Sequence, residues 1–135
     1  MNLDDTVSGL EEQRLHFVKY KGKPIFVINF SHCSSKEMIV LLEQVRATIT
    51  RQKPGSVLAM ADLSGAHFDK AVATKIKETL VFDRPFVKRS AWVGTDTLPH
   101  IYYEHFKSFS QREIPTFKTR EQAMEWLVGD NPSYP

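Results

Sequence analysis

The spacing of apolar residues changes along the chain between the alternation of a strand and the three-to-four-residue repeat of a helix. Residues 15–20 and 24–30 are rich in β-branched and aromatic side chains and flank a short turn centred on Gly22. Two such runs joined by a tight glycine turn are typical of a β-hairpin. The folded part of the chain is therefore predicted to begin with two antiparallel strands.

Three further apolar runs predict strands later in the chain. Residues 56–62 are almost wholly apolar, which favours a strand that is buried on both faces. Residues 87–94 and 114–117 contain shorter runs of the same kind. The last of them includes Pro115, which lacks a backbone N–H, so we expect that strand at the edge of a sheet.

The first of four predicted helices follows the hairpin. Ser34 and Glu37 have the spacing of a capping box, in which each side chain satisfies a backbone N–H of the other residue. Apolar residues then recur at helical spacing. Pro54 and Gly55 cannot continue a helix, so this one is predicted to end near Gln52.

The other three helices also have recognisable starts. Asp69 is the expected N-cap of the second helix, because its carboxylate can accept a hydrogen bond from a free backbone N–H. The aromatic segment 98–109 predicts a third helix that begins at Pro99. A second capping box at Thr119 predicts the fourth, which stops at Gly129.

The resulting order of elements, ββαβαβαβα, predicts an α/β fold. Strands that alternate with helices form a mostly parallel sheet with helices packed on it. We expect a single domain over residues 14–129, with flexible tails at 1–13 and 130–135.

Composition removes several classes of function. The 135 residues include 18 basic and 16 acidic side chains, for a net charge of +2, so a polybasic nucleic-acid arm is absent and no nucleic-acid partner is expected. Cys33 is the only cysteine, which excludes a disulfide framework. No apolar run approaches the roughly 18 residues of a membrane span. The acidic start of the chain does not resemble a signal peptide, so we expect a cytoplasmic protein.

Two segments, together with the order of elements, resemble the SpoIIAA-like, STAS/SEC14-type bacterial proteins. The segments are MADLSGAHFD at 60–69 and TFKTREQAMEWL at 116–127, and the resemblance extends over about residues 14–128. It implies a SpoIIAA/STAS-like fold, no enzymatic activity, and a regulatory role through protein–protein contact.

The same resemblance identifies a candidate interaction loop. Phosphorylated anti-anti-sigma factors carry Asp-Leu-Ser and then a phosphoacceptor serine or threonine at a helix start. Here that position falls near Asp69, which a serine kinase cannot phosphorylate, although its charge is similar to that of a phosphoserine. We therefore expect regulation without a serine phospho-switch, and Asp69 is either such a mimic or only an N-cap. The loop comprises Asp62, Ser64, Gly65, His67, Phe68 and Asp69.

No catalytic residue, metal site or cofactor is predicted. Ser64, His67 and Asp69 are the residue types of a hydrolase triad, but they share one loop and lack a nucleophile elbow. His100 and Glu104 share a helix face without a third ligand. Cys33 is expected to be buried and unreactive, as is usual for a lone thiol.

The aromatic helix has more apolar surface than one packing face requires. We expect Leu98, Ile101, Tyr102, His105 and Phe109 to pack on the sheet, which leaves a second face that begins with two further aromatic residues, Tyr103 and Phe106. This surplus is explained by core packing, by a homodimer or partner surface, or by a ligand pocket. The candidate aromatic face comprises Trp92, His100, Tyr102, Tyr103, Phe106 and Phe109.

Two functional hypotheses follow from these patterns. The first is a non-enzymatic regulatory module that binds a protein partner or a second copy of itself. The alternative is a protein that binds or carries an apolar small molecule or lipid in an aromatic-lined pocket. That pocket is expected between the sheet and the helices at residues 68–80 and 98–109.

Overall fold

A computed structural model describes residues 14–129 of the chain. The two predicted flexible tails, 1–13 and 130–135, lie outside the described residues. Within the described part the chain is an α/β structure, and its strands and helices follow one another in the predicted order, with one additional 3₁₀ turn at Thr95–Thr97.

The centre of the structure is a five-stranded sheet with the strand order β1-β2-β3-β4-β5. Strands β1 and β2 pair antiparallel, as the hairpin prediction required, and all later neighbours pair parallel. The final strand is short and lies at the edge of the sheet, which confirms its predicted position. The strands are β1 Leu15–Tyr20, β2 Lys23–Asn29, β3 Val57–Asp62, β4 Val87–Val93 and β5 Thr116–Phe117.

The helices begin at the predicted caps. Ser34 and Thr119 both form complete capping boxes, and the Asp69 carboxylate accepts a hydrogen bond from Val72 N at 2.8 Å. The first helix ends at Ile49, before the predicted stop near Gln52. The helices are α1 Ser35–Ile49, α2 Lys70–Asp83, α3 His100–Ser110 and α4 Arg120–Val128. None of them is both long and apolar enough to cross a membrane.

Helices cover both faces of the sheet. Helices α1, α2 and α3 pack on one face, where they share a core with Ala59 and Ala61 of β3. Helix α4 packs on the opposite face, against Leu58 and Met60 of the same strand. Every residue of β3 is buried, which confirms the prediction from its unbroken apolar run.

Helix α3 is rotated relative to the sequence prediction. Phe106 was expected on a surplus face, but it is fully buried and its ring lies 5.9 Å from that of Trp92 on β4. Ile101, His105 and Phe109, which were expected to pack on the sheet, instead face outward. Both faces of this helix are apolar, so periodicity alone could not show which one is buried.

The rotation of α3 predicts a difference between two phenylalanines of one helix. Phe106→Ala should lower the free energy of unfolding by about 3–5 kcal/mol, because it removes a fully buried ring and leaves a cavity. Phe109→Ala, at a side chain that is 43% exposed, is the matched control and should cost less than about 1 kcal/mol. Urea unfolding measures both, and equal losses would contradict this orientation of α3.

Candidate functional site

The candidate interaction loop lies at the carboxyl end of β3, where Asp62 organises it. The Asp62 carboxylate accepts hydrogen bonds from Ser64 N at 3.0 Å and from Ser64 Oγ at 2.7 Å. Its second oxygen accepts from Arg120 Nε at 2.9 Å. Arg120 is the first residue of α4. The ion pair therefore links α4, on one face of the sheet, to the loop that follows β3.

Asp62 stays ionised although it is buried. Burial alone raises the pKa of a carboxyl group, but the two hydrogen bonds from Ser64 and the neighbouring Arg120 guanidinium outweigh it, so that the pKa of Asp62 lies below its usual value. The Ser64 hydroxyl donates its hydrogen bond to this carboxylate. Ser64 therefore forms a structural clasp with Asp62 and Arg120, whereas Asp69 of the three triad residue types caps α2.

Two glycines allow the neighbouring loops to approach this clasp. Gly94 has a φ of +66°, and a Cβ atom there would lie 2.0 Å from Ser64 Oγ. Gly65 has a φ of +64°, and its Cβ would lie 2.3 Å from the His32 ring. Both sites therefore require glycine for conformation and for space.

Little of the candidate loop is open to solvent. Asp62 is buried, Ser64 and Gly65 are partly buried, and Phe68 packs against the core. Only His67 and Asp69 are exposed. Asp69 is an N-cap, and the pKa of its carboxyl is lowered chiefly by the hydrogen bond from Val72 N. A docking partner would therefore contact His67 and Asp69 rather than the whole loop.

The candidate aromatic face divides into a buried and an exposed part. Trp92, Tyr103 and Phe106 are packed together, with the Trp92 and Tyr103 ring centres 6.1 Å apart. The Tyr103 hydroxyl donates to Ile114 O at 2.6 Å. Tyr102 is partly buried beside Phe106. These contacts fix α3 on the sheet and place Trp92, Tyr103 and Phe106 in the packing between them.

His100, on the exposed part of that face, pairs with Glu104. His100 lies 3.6 Å from Glu104, and both side chains are largely open to solvent. Within residues 14–129, no three His, Cys, Asp or Glu side chains are grouped so that they could hold a metal ion.

Cys33 is fully buried, and burial raises the pKa of its thiol, which makes it a poor nucleophile.

An apolar cavity lies between the sheet and helices α1, α2 and α3. The space open to the centres of water-sized molecules is about 70 Å³. Trp92 is the one residue of the predicted aromatic face that lines it. The apolar lining residues are Ile28, Phe30, Leu42, Val45, Ile49, Ala59, Ala61, Leu63, Ile76, Leu80, Val87, Trp92 and Ile114.

One end of the cavity is polar. Asp83 at the last position of α2 and Arg84 directly after it line this end, together with Ser110 and Arg112 from the end of α3 and the loop beyond. Asp83 is only 5% exposed, and its Oδ1 has no hydrogen-bond partner among the described residues. Burial raises the pKa of Asp83 to about 7, against the opposing effect of Arg46.

Sequence analysis missed Asp83, although a signal was present. Val72, Ile76, Thr79 and Asp83 follow one another at intervals of four, three and four residues, which places all four on one face of α2. A carboxylate on the buried face of an amphipathic helix is unusual and marks a candidate site.

Comparison with known proteins gives no relative for this chain. No protein-family model matches it, and no curated protein or solved structure is similar enough to be matched.

The Asp62–Arg120 pair predicts a pH-dependent contribution to stability. Arg120→Ala should lower the free energy of unfolding by about 1–2 kcal/mol at pH 7, because it leaves a buried carboxylate without its cation. A lowered native pKa contributes stability above the unfolded value that is lost as the pH falls through the native value. The difference between wild type and variant should therefore shrink on acidification to pH 2.

Urea unfolding at pH 7 and pH 2 measures this effect. Lys21→Ala, which removes the exposed Lys21–Glu125 pair, is the control and should cost less than about 0.5 kcal/mol. A loss for Arg120→Ala that is the same at both pH values would contradict the role given to Asp62.

Proposed function

We propose that this chain is a non-enzymatic SpoIIAA-like, STAS/SEC14-type module that binds an apolar small molecule in the cavity beneath its sheet. The observation that carries the proposal is the cavity itself, an apolar space between the sheet and helices α1 and α2 that ends at polar groups. Apolar pockets with a few convergent polar groups are the usual form of small-molecule sites.

The span of the lining residues along β4 matches a single alkyl chain. Its lining follows β4 from Val87 to Trp92, five residue steps of about 3.3 Å, or roughly 16 Å. Carbon–carbon bonds of about 1.5 Å advance an extended alkyl chain by about 1.3 Å each, so about twelve carbons match that length. Such a chain would run along the lining from Val87 to Trp92.

A binding role fits the chemistry of the loop better than catalysis does. Ser64 is the one hydroxyl in the Asp62–Asp69 loop, and its hydrogen bond is committed to Asp62. Gly65 of this loop is packed against the His32 ring. The carboxyl edge of the sheet therefore serves to hold the fold around the cavity.

A regulatory protein–protein contact is the second candidate, and exposed apolar residues favour it. Ile101 is 62% exposed and Phe109 is 43% exposed on the outer face of α3. Phe82 of α2 is also 49% exposed, with the Arg46 guanidinium over its ring. Large apolar side chains that are open to solvent are found at interfaces, where a few of them supply most of the affinity.

The proposed function predicts saturable binding of a twelve-carbon amphiphile. Trp92 lines the cavity, whereas Trp126 lies against the opposite face of the sheet. In a Trp126→Phe background, titration with dodecanoate or with dodecanol should therefore change the fluorescence of Trp92 until one molecule is bound. Ala59→Leu fills the cavity and should abolish the change while keeping or raising the melting temperature.

Met60→Leu is the control for this variant, because it conserves volume on the opposite face of the same strand. It should leave binding intact. If neither amphiphile changes Trp92 fluorescence, or if the Ala59→Leu protein binds as well as wild type, the cavity is not a ligand site.

The second candidate predicts self-association that depends on the outer face of α3. Native mass spectrometry of the wild-type protein should then show a dimer, and Ile101→Glu should convert it to a monomer without changing the melting temperature. Thr74→Glu, at an exposed site of α2, is the control. A monomer at every concentration would remove the homodimer, and extra mass on wild type that Ala59→Leu lacks would favour the ligand.

A further inference from the structure

The polar end of the cavity contains groups that are already satisfied within the protein. The Thr79 hydroxyl donates to Lys75 O at 2.8 Å, and the Ser110 hydroxyl donates to Lys107 O at 3.0 Å. In each case the acceptor is a backbone carbonyl of the same helix. These two residues therefore need no ligand.

Arg112 is also held in place by the backbone. Its Nη1 donates to the carbonyl oxygens of Val87 and Lys88, and its Nη2 donates to Arg84 O at 3.1 Å. The guanidinium therefore ties the loop after α3 to the start of β4 and to the residue after α2. It brings a fixed positive charge to the polar end of the cavity.

Two buried atoms at this end are not satisfied. Asp83 Oδ1 and Arg84 Nε have no hydrogen-bond partner among the described residues. The rest of the Arg84 guanidinium is anchored, because its Nη2 donates to Phe109 O. A buried donor or acceptor without a partner costs free energy, and native proteins rarely leave two in one place. An unfilled acceptor and an unfilled donor on consecutive residues therefore indicate a ligand group.

The charge around these atoms favours an anionic group. Arg84 and Arg112 line the polar end, and the more distant charge of Arg46 on α1 lowers the pKa of Asp83. Asp83 is the only acidic residue among those lining the cavity. The guanidinium groups of Arg84 and Arg112 against the one Asp83 carboxyl leave the polar end positively charged, which complements a carboxylate better than a neutral alcohol.

This inference rests on the proposed function and names its ligand class. We propose that the cavity binds a single-chain carboxylate whose head group accepts a hydrogen bond from Arg84 Nε and shares one proton with Asp83. The proton lies between a carboxyl oxygen of the ligand and Asp83 Oδ1, so each oxygen gains the partner that it lacks. The alkyl chain extends from there along the sheet toward Trp92.

Such a shared proton makes binding depend on pH. The pKa of Asp83 is raised to about 7, and a second carboxylate beside it raises it further in the complex. The complex therefore takes up a proton when the free protein is ionised. Above pH 7, affinity for the carboxylate should fall by close to tenfold per pH unit, whereas affinity for an alcohol should not fall in this way.

The test compares dodecanoate with dodecanol in the Trp126→Phe protein, with each ligand kept below its aggregation concentration. At pH 6.5, dodecanoate should bind at least about tenfold more tightly than dodecanol. Its dissociation constant should rise at least about tenfold between pH 6.5 and pH 8.5. The fluorescence of Trp92 reports both affinities.

Three variants separate the roles of the charged groups. Arg84→Gln should bring the affinity for dodecanoate down to that for dodecanol. Arg46→Gln removes the same charge from a residue that does not line the cavity, so it should retain most of the preference. Asp83→Asn keeps a donor beside the ligand but cannot titrate, so its affinity for dodecanoate should no longer depend on pH.

Failure of this inference and failure of the proposed function give different results. If both ligands bind equally and Ala59→Leu abolishes both, the cavity is a ligand site but its head group is not a carboxylate. The same conclusion holds if Arg84→Gln has no more effect than Arg46→Gln. If neither ligand binds the wild-type protein, the alkyl-chain site and the carboxylate are both wrong.

Discussion

The small side chains of Ala59 and Ala61 at the centre of the sheet determine much of this structure. Because β3 presents alanines to one face and Leu58 and Met60 to the other, helix α4 packs closely while the helices opposite it leave a space. Close packing is the rule in protein interiors, so a space of this kind requires side chains that cannot collapse into it. Here the ring of Trp92 and the helices α1 and α2 surround it.

The two ends of the sheet use polar residues in opposite ways. At the carboxyl edge, Asp62 has a partner for each oxygen, and its network joins β3, its loop and α4. At the amino edge, Asp83 Oδ1 and Arg84 Nε are buried without a hydrogen-bond partner in the part of the chain that the structure describes. A buried polar network in which every group is hydrogen-bonded stabilises a fold. Buried groups without partners are typical of functional sites, where a bound molecule supplies the missing hydrogen bonds.

Sequence patterns predicted the order of elements because each signal was local. The capping boxes at Ser34 and Thr119 and the N-cap at Asp69 involve residues three apart, so neighbouring residues suffice to identify them. The orientation of α3 and the position of the cavity depend on contacts between distant elements. Phe106 and Phe109 are identical in kind, and only the packing against Trp92 distinguishes them. Asp83 broke the apolar face of α2, which was the one visible trace of the polar end.

If the interior of this sheet face binds an alkyl chain, ¹³C-labelled dodecanoate should show nuclear Overhauser contacts to the methyl groups of Ala59, Ala61 and Val45, which line the cavity. Contacts confined to the exposed Ile101 of α3, or none to any cavity methyl group, would contradict it.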